Sequence, residues 1–150
     1  MFIEINISNT TVEEINSLIA KNDFEDVSEK TGTEHGFQTP NIVSLFNEEL
    51  LQKILPIKDY YKEIFHIHYI NYLSGGYQRE HHNKSTEKYS FILYLNDSDG
   101  KTFFRFGKTF FRKFVPKKGK LLFFNSSIFH GGEKSFKNKK VLVGAVSKRI

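Results

Sequence analysis

Six short segments in the second part of the chain have the composition of β-strands, and they constrain the fold more than any other feature. Each is rich in β-branched and aromatic residues, and Gly, Pro, Asn or Asp separates one from the next. They cover residues 65–73, 89–95, 101–106, 109–115, 120–124 and 140–146. Many short strands after a helical start favour a mainly β jelly roll or barrel over a helical bundle.

The preceding residues predict elements that support a sheet. Residues 2–7 read as a first strand, and a capping-box pattern from Thr10 to Glu13 starts a helix. A second helix is predicted over residues 47–55, and a weaker helical piece over residues 58–64. The polar stretch 22–41 is predicted to be a loop.

The chain is long enough for one packed core and too short for two. It has 150 residues, of which 39% are hydrophobic. We therefore predict a single domain over residues 1–150. Residues 1–63 would supply the N-terminal strand and supporting helices, and residues 64–150 the barrel core.

The composition restricts the possible metal chemistry and location. There is no cysteine, so any metal must be bound by nitrogen and oxygen ligands. No stretch has the length and apolar character of a membrane span, and no leader-like run opens the sequence. The default prediction is a cytoplasmic protein without a membrane partner.

Charge is distributed unevenly along the chain. Residues 1–63 carry a net charge of −7 and residues 64–150 one of +12, which gives the overall +5. The basic part should attract anions such as a small dicarboxylate, a nucleic acid or an acidic peptide. Alternatively, the acidic N-terminal part packs against the basic part and neutralises it.

Two histidine segments lie beside predicted strands. His81 and His82 follow the first long strand, and His130 lies 49 residues beyond His81. They can converge only if the sheet folds back on itself, and imidazoles that converge in this way can bind a metal. The alternative is a set of surface histidines at strand ends.

The order of motifs from residue 64 to 146 resembles that of the 2-oxoglutarate/Fe(II)-dependent dioxygenases, especially their prolyl-4-hydroxylase-like branch. The matching pieces are NYLSGG at 71–76, HHN at 81–83, FILYLN at 91–96, GKT at 100–102, VPKKGKLLFF at 115–124, His130, and a basic residue that opens the last strand. The resemblance implies a double-stranded β-helix (jelly roll) that uses Fe(II) and the co-substrate 2-oxoglutarate to hydroxylate a substrate.

The resemblance also implies a residue-level site. Fe(II) would be bound by His81, Asn83 and His130, with His82 as the register alternative to His81. Asn83 stands where the family has the aspartate of H-x-D, and an uncharged amide oxygen is a weaker ligand than a carboxylate. No residue besides the ligands is assigned a catalytic role.

The co-substrate would be bound by Tyr94, Tyr72 and Lys140. Lys140 stands where the family usually has an arginine, and it replaces a bidentate clamp by a point charge. Lys139 is the alternative, because neighbouring residues of a strand face opposite ways and only one can point inward.

Other interpretations remain open. Glu80 or Glu87 could complete the metal site, and Glu87 would do so in a cupin-like metal- or ligand-binding barrel. The chain could also be a catalytically silent member of the fold. Residues 103–114 could bind nucleic acid, although a hairpin with buried phenylalanines and outward cations is the preferred interpretation. The substrate is not specified: a peptide, a nucleic acid and a metabolite are all compatible with the sequence.

His66 and His68 are two apart on a predicted strand and should share a face. No carboxylate is close to them in sequence. A structural or surface role is therefore preferred over a second metal site. His35 is predicted to be a solvated loop residue.

Overall fold

The chain forms two helices and nine strands within residues 2–81 and 88–148, the part that the computed structural model describes. The first four elements are β1 (Phe2–Asn6), α1 (Asn9–Ala20), β2 (Thr33–Gln38) and α2 (Glu48–Ile54). The remaining seven are β3 (Tyr61–His81), β4 (Lys88–Tyr94), β5 (Thr102–Phe106), β6 (Phe110–Phe114), β7 (Lys120–Asn125), β8 (Phe129–Gly132) and β9 (Lys139–Lys148).

One antiparallel sheet contains all of these strands and curls into two layers. The order is β1-β7-β4-β9-β3-β8-β5-β6, and β2 pairs with β3. The 21-residue strand β3 belongs to both layers, because residues 61–72 pair with β9 while His81 pairs with β8. The predicted mainly β jelly roll with N-terminal helices is therefore confirmed.

Strand alternation separates two apolar cores. On β9, Leu142 and Val146 point toward a core that also contains Val12 and Ile15 of α1. Val141 of the same strand lies in a second core between the two layers. This second core, rich in aromatic residues, surrounds the cavity described below.

The two helices begin at polar caps. The side chain of Ser8 accepts a hydrogen bond from Thr11 N at 3.2 Å, and that of Asn47 accepts one from Leu50 N at 2.8 Å. These bonds satisfy backbone donors that a helix start leaves unpaired. Among the described residues, no helix is long and apolar enough to span a membrane.

Three predicted boundaries were wrong. Residues 33–38 form β2 instead of a loop, with a register shift between Glu34 and Gly36 and a positive φ at His35. Residues 58–64 are mostly not helical: a 3-10 turn at Lys58–Tyr60 leads directly into β3. Strand β8 was not predicted, since only four residues form it and two of them are glycines.

The aromatic hairpin β5–β6 only partly follows the prediction of buried phenylalanines. Phe104 is fully buried and Phe114 nearly so. Phe110 and Phe111 on the edge strand β6 are instead 61% and 49% exposed. The bend at Gly107, with φ of 77°, lies where the sequence placed it.

Candidate active site

His81 and His130 face each other where β3 meets β8. His81 ends β3, His130 lies on β8, and the two are register partners in the antiparallel ladder. Their ring centroids are 4.2 Å apart, with an interplanar angle of 59°. The structure thus brings together two histidines that are 49 residues apart in the chain.

Each imidazole is oriented by a hydrogen bond to its own strand. His81 Nδ1 lies 2.9 Å from Arg79 O, and His130 Nδ1 lies 2.8 Å from Ile128 O. A carbonyl oxygen can only accept, so Nδ1 is the donor in both rings, and in the neutral form of each ring this leaves the lone pair on Nε2. Metal-binding histidines are oriented in the same way, by a second nitrogen that donates to a carbonyl or carboxylate.

The third predicted ligand cannot be placed. Asn83 lies outside the described residues, as do the alternatives His82 and Glu87. In the described ranges, no group of three or more His, Asp or Glu side chains is arranged to hold a metal ion. Glu80, the remaining alternative, forms an ion pair with Arg105.

A cavity of about 570 Å³ extends from the histidine pair into the space between the two sheet layers. Its wall near the histidines contains His66, Ser90, Phe124 and Ala145. Thr102, Gln78 and Tyr72 line it elsewhere together with Lys139. Apolar side chains from three strands separate these two regions: Ile70, Ile92, Val141 and Val143.

Among the described residues, Lys139 is the cation that lines the cavity, and Lys140 does not line it. The Lys139 side chain is only 3% exposed, and its Nζ lies 3.3 Å from Thr102 Oγ1 and 5.4 Å from the centre of the Tyr72 ring. Lys140 is half-buried and does not line the cavity. Because neighbouring residues of a strand face opposite ways, the residue that faces the cavity is Lys139, the alternative to the predicted Lys140.

Burial changes the acid–base properties of Lys139. Desolvation lowers the pKa of its ammonium group to about 8, against a smaller opposing effect of Glu133. An anion in the cavity would favour the charged form and raise this pKa again.

Thr102 is the hydroxyl that lies next to Lys139 in the cavity. Its Oγ1 accepts hydrogen bonds from Tyr94 OH at 2.6 Å and from Lys139 Nζ at 3.3 Å. With both lone pairs engaged, the Thr102 O–H is left to donate elsewhere. Thr102 lines the cavity, so a bound anion is a suitable acceptor.

The two predicted tyrosines have different positions. Tyr72 lines the cavity, and its hydroxyl donates to Gln78 Oε1 at 3.1 Å. Tyr94 is fully buried behind Thr102 and does not line the cavity. Burial raises the pKa of both phenols, so both remain neutral donors.

Gly132 provides the space that the Lys139 ammonium occupies. A Cβ atom at this position would lie 3.3 Å from Lys139 Nζ and 3.6 Å from Gln78 Cβ. Neither Gly132 nor the cavity-lining Gln78 and Thr102 was assigned a role from sequence. The only sequence signal for Gly132 was its place directly after His130-Gly131.

Comparisons with known proteins support the fold. No protein-family model and no curated protein sequence matches the chain. Among solved structures, a prolyl-4-hydroxylase from Pseudomonas putida matches with a TM-score of 0.72 at 15% identity, over 99% of this chain and 93% of that one. This chain therefore has the same fold as that solved structure.

Two further solved structures have the same fold. HygX from Streptomyces hygroscopicus, solved with nickel and 2-oxoglutarate bound, gives a TM-score of 0.76 at 12% identity, over 97% of this chain and 82% of that one. The viral collagen prolyl hydroxylase of Paramecium Bursaria Chlorella virus-1, solved as a 2-oxoglutarate complex, gives 0.67 at 17% identity, over 99% and 96%.

Proposed function

We propose that the protein is a 2-oxoglutarate- and Fe(II)-dependent oxygenase. One observation carries the proposal: two facing imidazoles and a buried lysine border the same cavity. Metal ligands at one place and a cation at another suit a small dicarboxylate that reaches from one to the other. The overall fold, shared with enzymes solved with this co-substrate, supports the same assignment.

The histidine pair fits a metal ion. Both Nδ1 atoms donate to carbonyl groups, which in the neutral rings leaves both Nε2 atoms to coordinate the metal. His81 and His130 would hold Fe(II), with Asn83 as the third ligand. When bound, Fe(II) would supply the redox chemistry by which dioxygen and 2-oxoglutarate oxidise a substrate.

The other residues bind the co-substrate and exclude water. Lys139 pairs with the distal carboxylate, and the Thr102 hydroxyl donates a second hydrogen bond to it. Tyr94 keeps the Thr102 oxygen in place through the 2.6 Å hydrogen bond. Val141 and Ile70 keep the region between the polar groups apolar. Low local polarity strengthens the Lys139–carboxylate attraction.

The first experiment measures metal and co-substrate binding separately. We expect one Fe(II) or Mn(II) per chain under anaerobic conditions, and 2-oxoglutarate binding that depends on the metal. His81→Ala and His130→Ala should each reduce metal stoichiometry, whereas His68→Ala should not. His68 is a matched control because its Nδ1 donates to Thr39 O and its side chain does not line the cavity. Full metal loading in both ligand variants would contradict the proposal.

A non-catalytic barrel is the second candidate, and Asn83 is the observation that favours it. An amide in place of a carboxylate removes a negative charge from the metal site. Such a protein would bind metal and 2-oxoglutarate without forming succinate. Succinate formation by the wild-type protein under air excludes this candidate, and tight binding without any succinate supports it.

A further inference from the structure

The end of the cavity near the histidine pair has polar groups that the co-substrate would leave unused. His66 on β3, Ala145 on β9, Ser90 on β4 and Phe124 on β7 are successive register partners across the sheet. All four line the cavity. Ala145, a small residue, lies between His66 and Ser90, and the part of the cavity along this row is called the recess below.

This row lies beside the histidine pair and far from Lys139. The Phe124 ring is 4.9 Å from the His130 ring, centre to centre. The Tyr72–Lys139 pair is six residues away from the His66–Ala145 pair along both strands, about 20 Å at ~3.3 Å per residue. A five-carbon dicarboxylate that runs from the histidines to Lys139 would leave the recess open.

The two nitrogens of His66 have different environments. Nδ1 is sealed from solvent and has no hydrogen-bond partner among the described residues. A buried donor without a partner is rarer than a buried acceptor without one, so the proton belongs on Nε2. Nε2 is not sealed, and it is the nitrogen left to face the cavity.

The surroundings of His66 are positive and keep its ring neutral. Burial lowers the pKa of His66, and the nearby His68 and Lys88 lower it further. The Lys88 ammonium lies over the Phe65 ring at 5.1 Å. A neutral imidazole then offers one N–H donor in a field that favours negative charge.

We propose that this row is the substrate subsite, and that the substrate presents a carboxylate that accepts a hydrogen bond from His66 Nε2. Only the identification of the bound acid as the substrate rests on the proposed function, because the recess needs no metal to bind an anion. The whole cavity has a volume of about 570 Å³, which has room for a small acid or one acidic side chain beside the co-substrate. Ser90 would contact the same group, and Ala145 would set the size of the recess.

The test uses two probes of similar size, N-acetylaspartate and N-acetylasparagine, each with its α-carboxyl group blocked as an amide throughout, so that only the first carries a carboxylate. Each is titrated into isotope-labelled protein, first without metal and then loaded with Zn(II) and 2-oxoglutarate. We expect N-acetylaspartate to shift the Ser90 and Ala145 amide signals and the His66 ring nitrogens. It should bind about tenfold tighter than the amide probe or better. Equal affinities for the two probes would overturn the proposal.

Four variants locate the site. His66→Ala should remove the preference for the acid, while His68→Ala, which removes a neighbouring ring but not the donor, should retain most of it. His66→Gln, which keeps a donor, should retain part of the preference, so loss through misfolding is distinguishable from loss of the donor. Lys139→Met should also retain it. If only Lys139→Met removes the preference, the anion binds at the co-substrate end and the proposal fails.

The subsite and the proposed function fail separately. Acid binding at Ser90 and Ala145 without any 2-oxoglutarate binding would support the subsite and contradict the proposed oxygenase function. Metal-dependent 2-oxoglutarate binding with no shift at these amides would support the oxygenase function and contradict the subsite. A comparison of N-acetylaspartate with an aspartate-containing hexapeptide distinguishes an acidic side chain from a free acid. Tighter binding of the peptide identifies an acidic side chain as the natural group. Tighter binding of the small acid identifies a metabolite.

Discussion

Lys139 and Lys140 are neighbours in the sequence, but strand alternation gives them unrelated environments. Lys139 is buried against Thr102 and Tyr72, and Lys140 is half-buried outside the cavity. No sequence pattern could choose between two adjacent lysines at the start of a strand. The pairing of β9 with β3 determines which lysine faces the cavity: Lys139 lies opposite Tyr72 and Lys140 opposite Asn71.

The two lysines provide a matched pair of variants. A charge-assisted hydrogen bond contributes about 1.5–3 kcal/mol, and 1.4 kcal/mol is a factor of ten in affinity. Lys139→Met should therefore weaken 2-oxoglutarate binding at least about tenfold, as measured by calorimetry on the Mn(II)-loaded protein. Lys140→Met should leave the affinity within about twofold. The opposite ranking would restore Lys140 as the co-substrate ligand.

The lowered pKa of Lys139 also makes stability depend on pH. It is about 8 in the folded protein, against 10.5 ordinarily. Between these values the unfolded chain binds more protons, so the free energy of unfolding should rise as pH increases from about 8 to about 10.5. Urea denaturation at several pH values should show this rise in the wild type and a smaller one in Lys139→Met. Parallel curves for the two proteins would argue against a buried ammonium.

Asn83 allows a test of the third metal position. Asn83→Asp restores a carboxylate, so Fe(II) or Mn(II) affinity should increase, as measured by competition with a coloured chelator. The matched changes are Glu80→Gln and Glu87→Gln. We expect neither to abolish metal binding. Loss of binding in either one, together with no gain in Asn83→Asp, would place a glutamate in the metal site.

At the scale of elements, strong patterns were predictable and short or irregular strands were not. Strands β4, β5, β6 and β7 lie within one or two residues of their predicted bounds, because apolar alternation and turn residues mark them. Strand β2 contains His35 at positive φ and Gly36, which read as loop signals. The pairing of β2 with β3 determines its conformation, and that pairing is not visible in the local sequence.

The same limit applies to the site. The convergence of His81 and His130 was predictable because both histidines lie beside strand-like segments. Thr102 was missed as a hydroxyl donor because nothing local shows that Tyr94 and Lys139 both bond to its oxygen. His66 was assigned a structural or surface role, because the row that joins it to Ser90 and Phe124 spans four strands and depends on their register.

The β5–β6 hairpin predicts a contrast in stability between its phenylalanines. Phe104 is fully buried and contacts Phe2, Phe114 and Phe124. Phe104→Ala should therefore lower the free energy of unfolding by about 3–5 kcal/mol in denaturant titrations. Phe110→Ala, at a 61% exposed position, should cost less than about 1 kcal/mol. Similar losses for both would show that the edge strand is covered in solution.

At the scale of the whole molecule, β3 joins the two layers. Because one strand pairs with β9 in one layer and with β8 in the other, neither layer can open without disturbing it. We expect a single cooperative unfolding transition, with coincident curves from far-ultraviolet circular dichroism and from tyrosine fluorescence. Two separate transitions would contradict the prediction of one domain over residues 1–150.

The central position of β9 has a consequence for the growing polypeptide. This strand, the last one described, lies between β3 and β4 and pairs with both. During synthesis on the ribosome, the edges of β3 and β4 that pair with β9 stay unpaired until residues 139–148 emerge. Contacts this distant in sequence form slowly, and open strand edges attract other chains in the meantime. Nascent chains that stop before residue 139 should therefore depend on chaperones. Lys139 enters the cavity in the same folding step in which β9 pairs with β3 and β4.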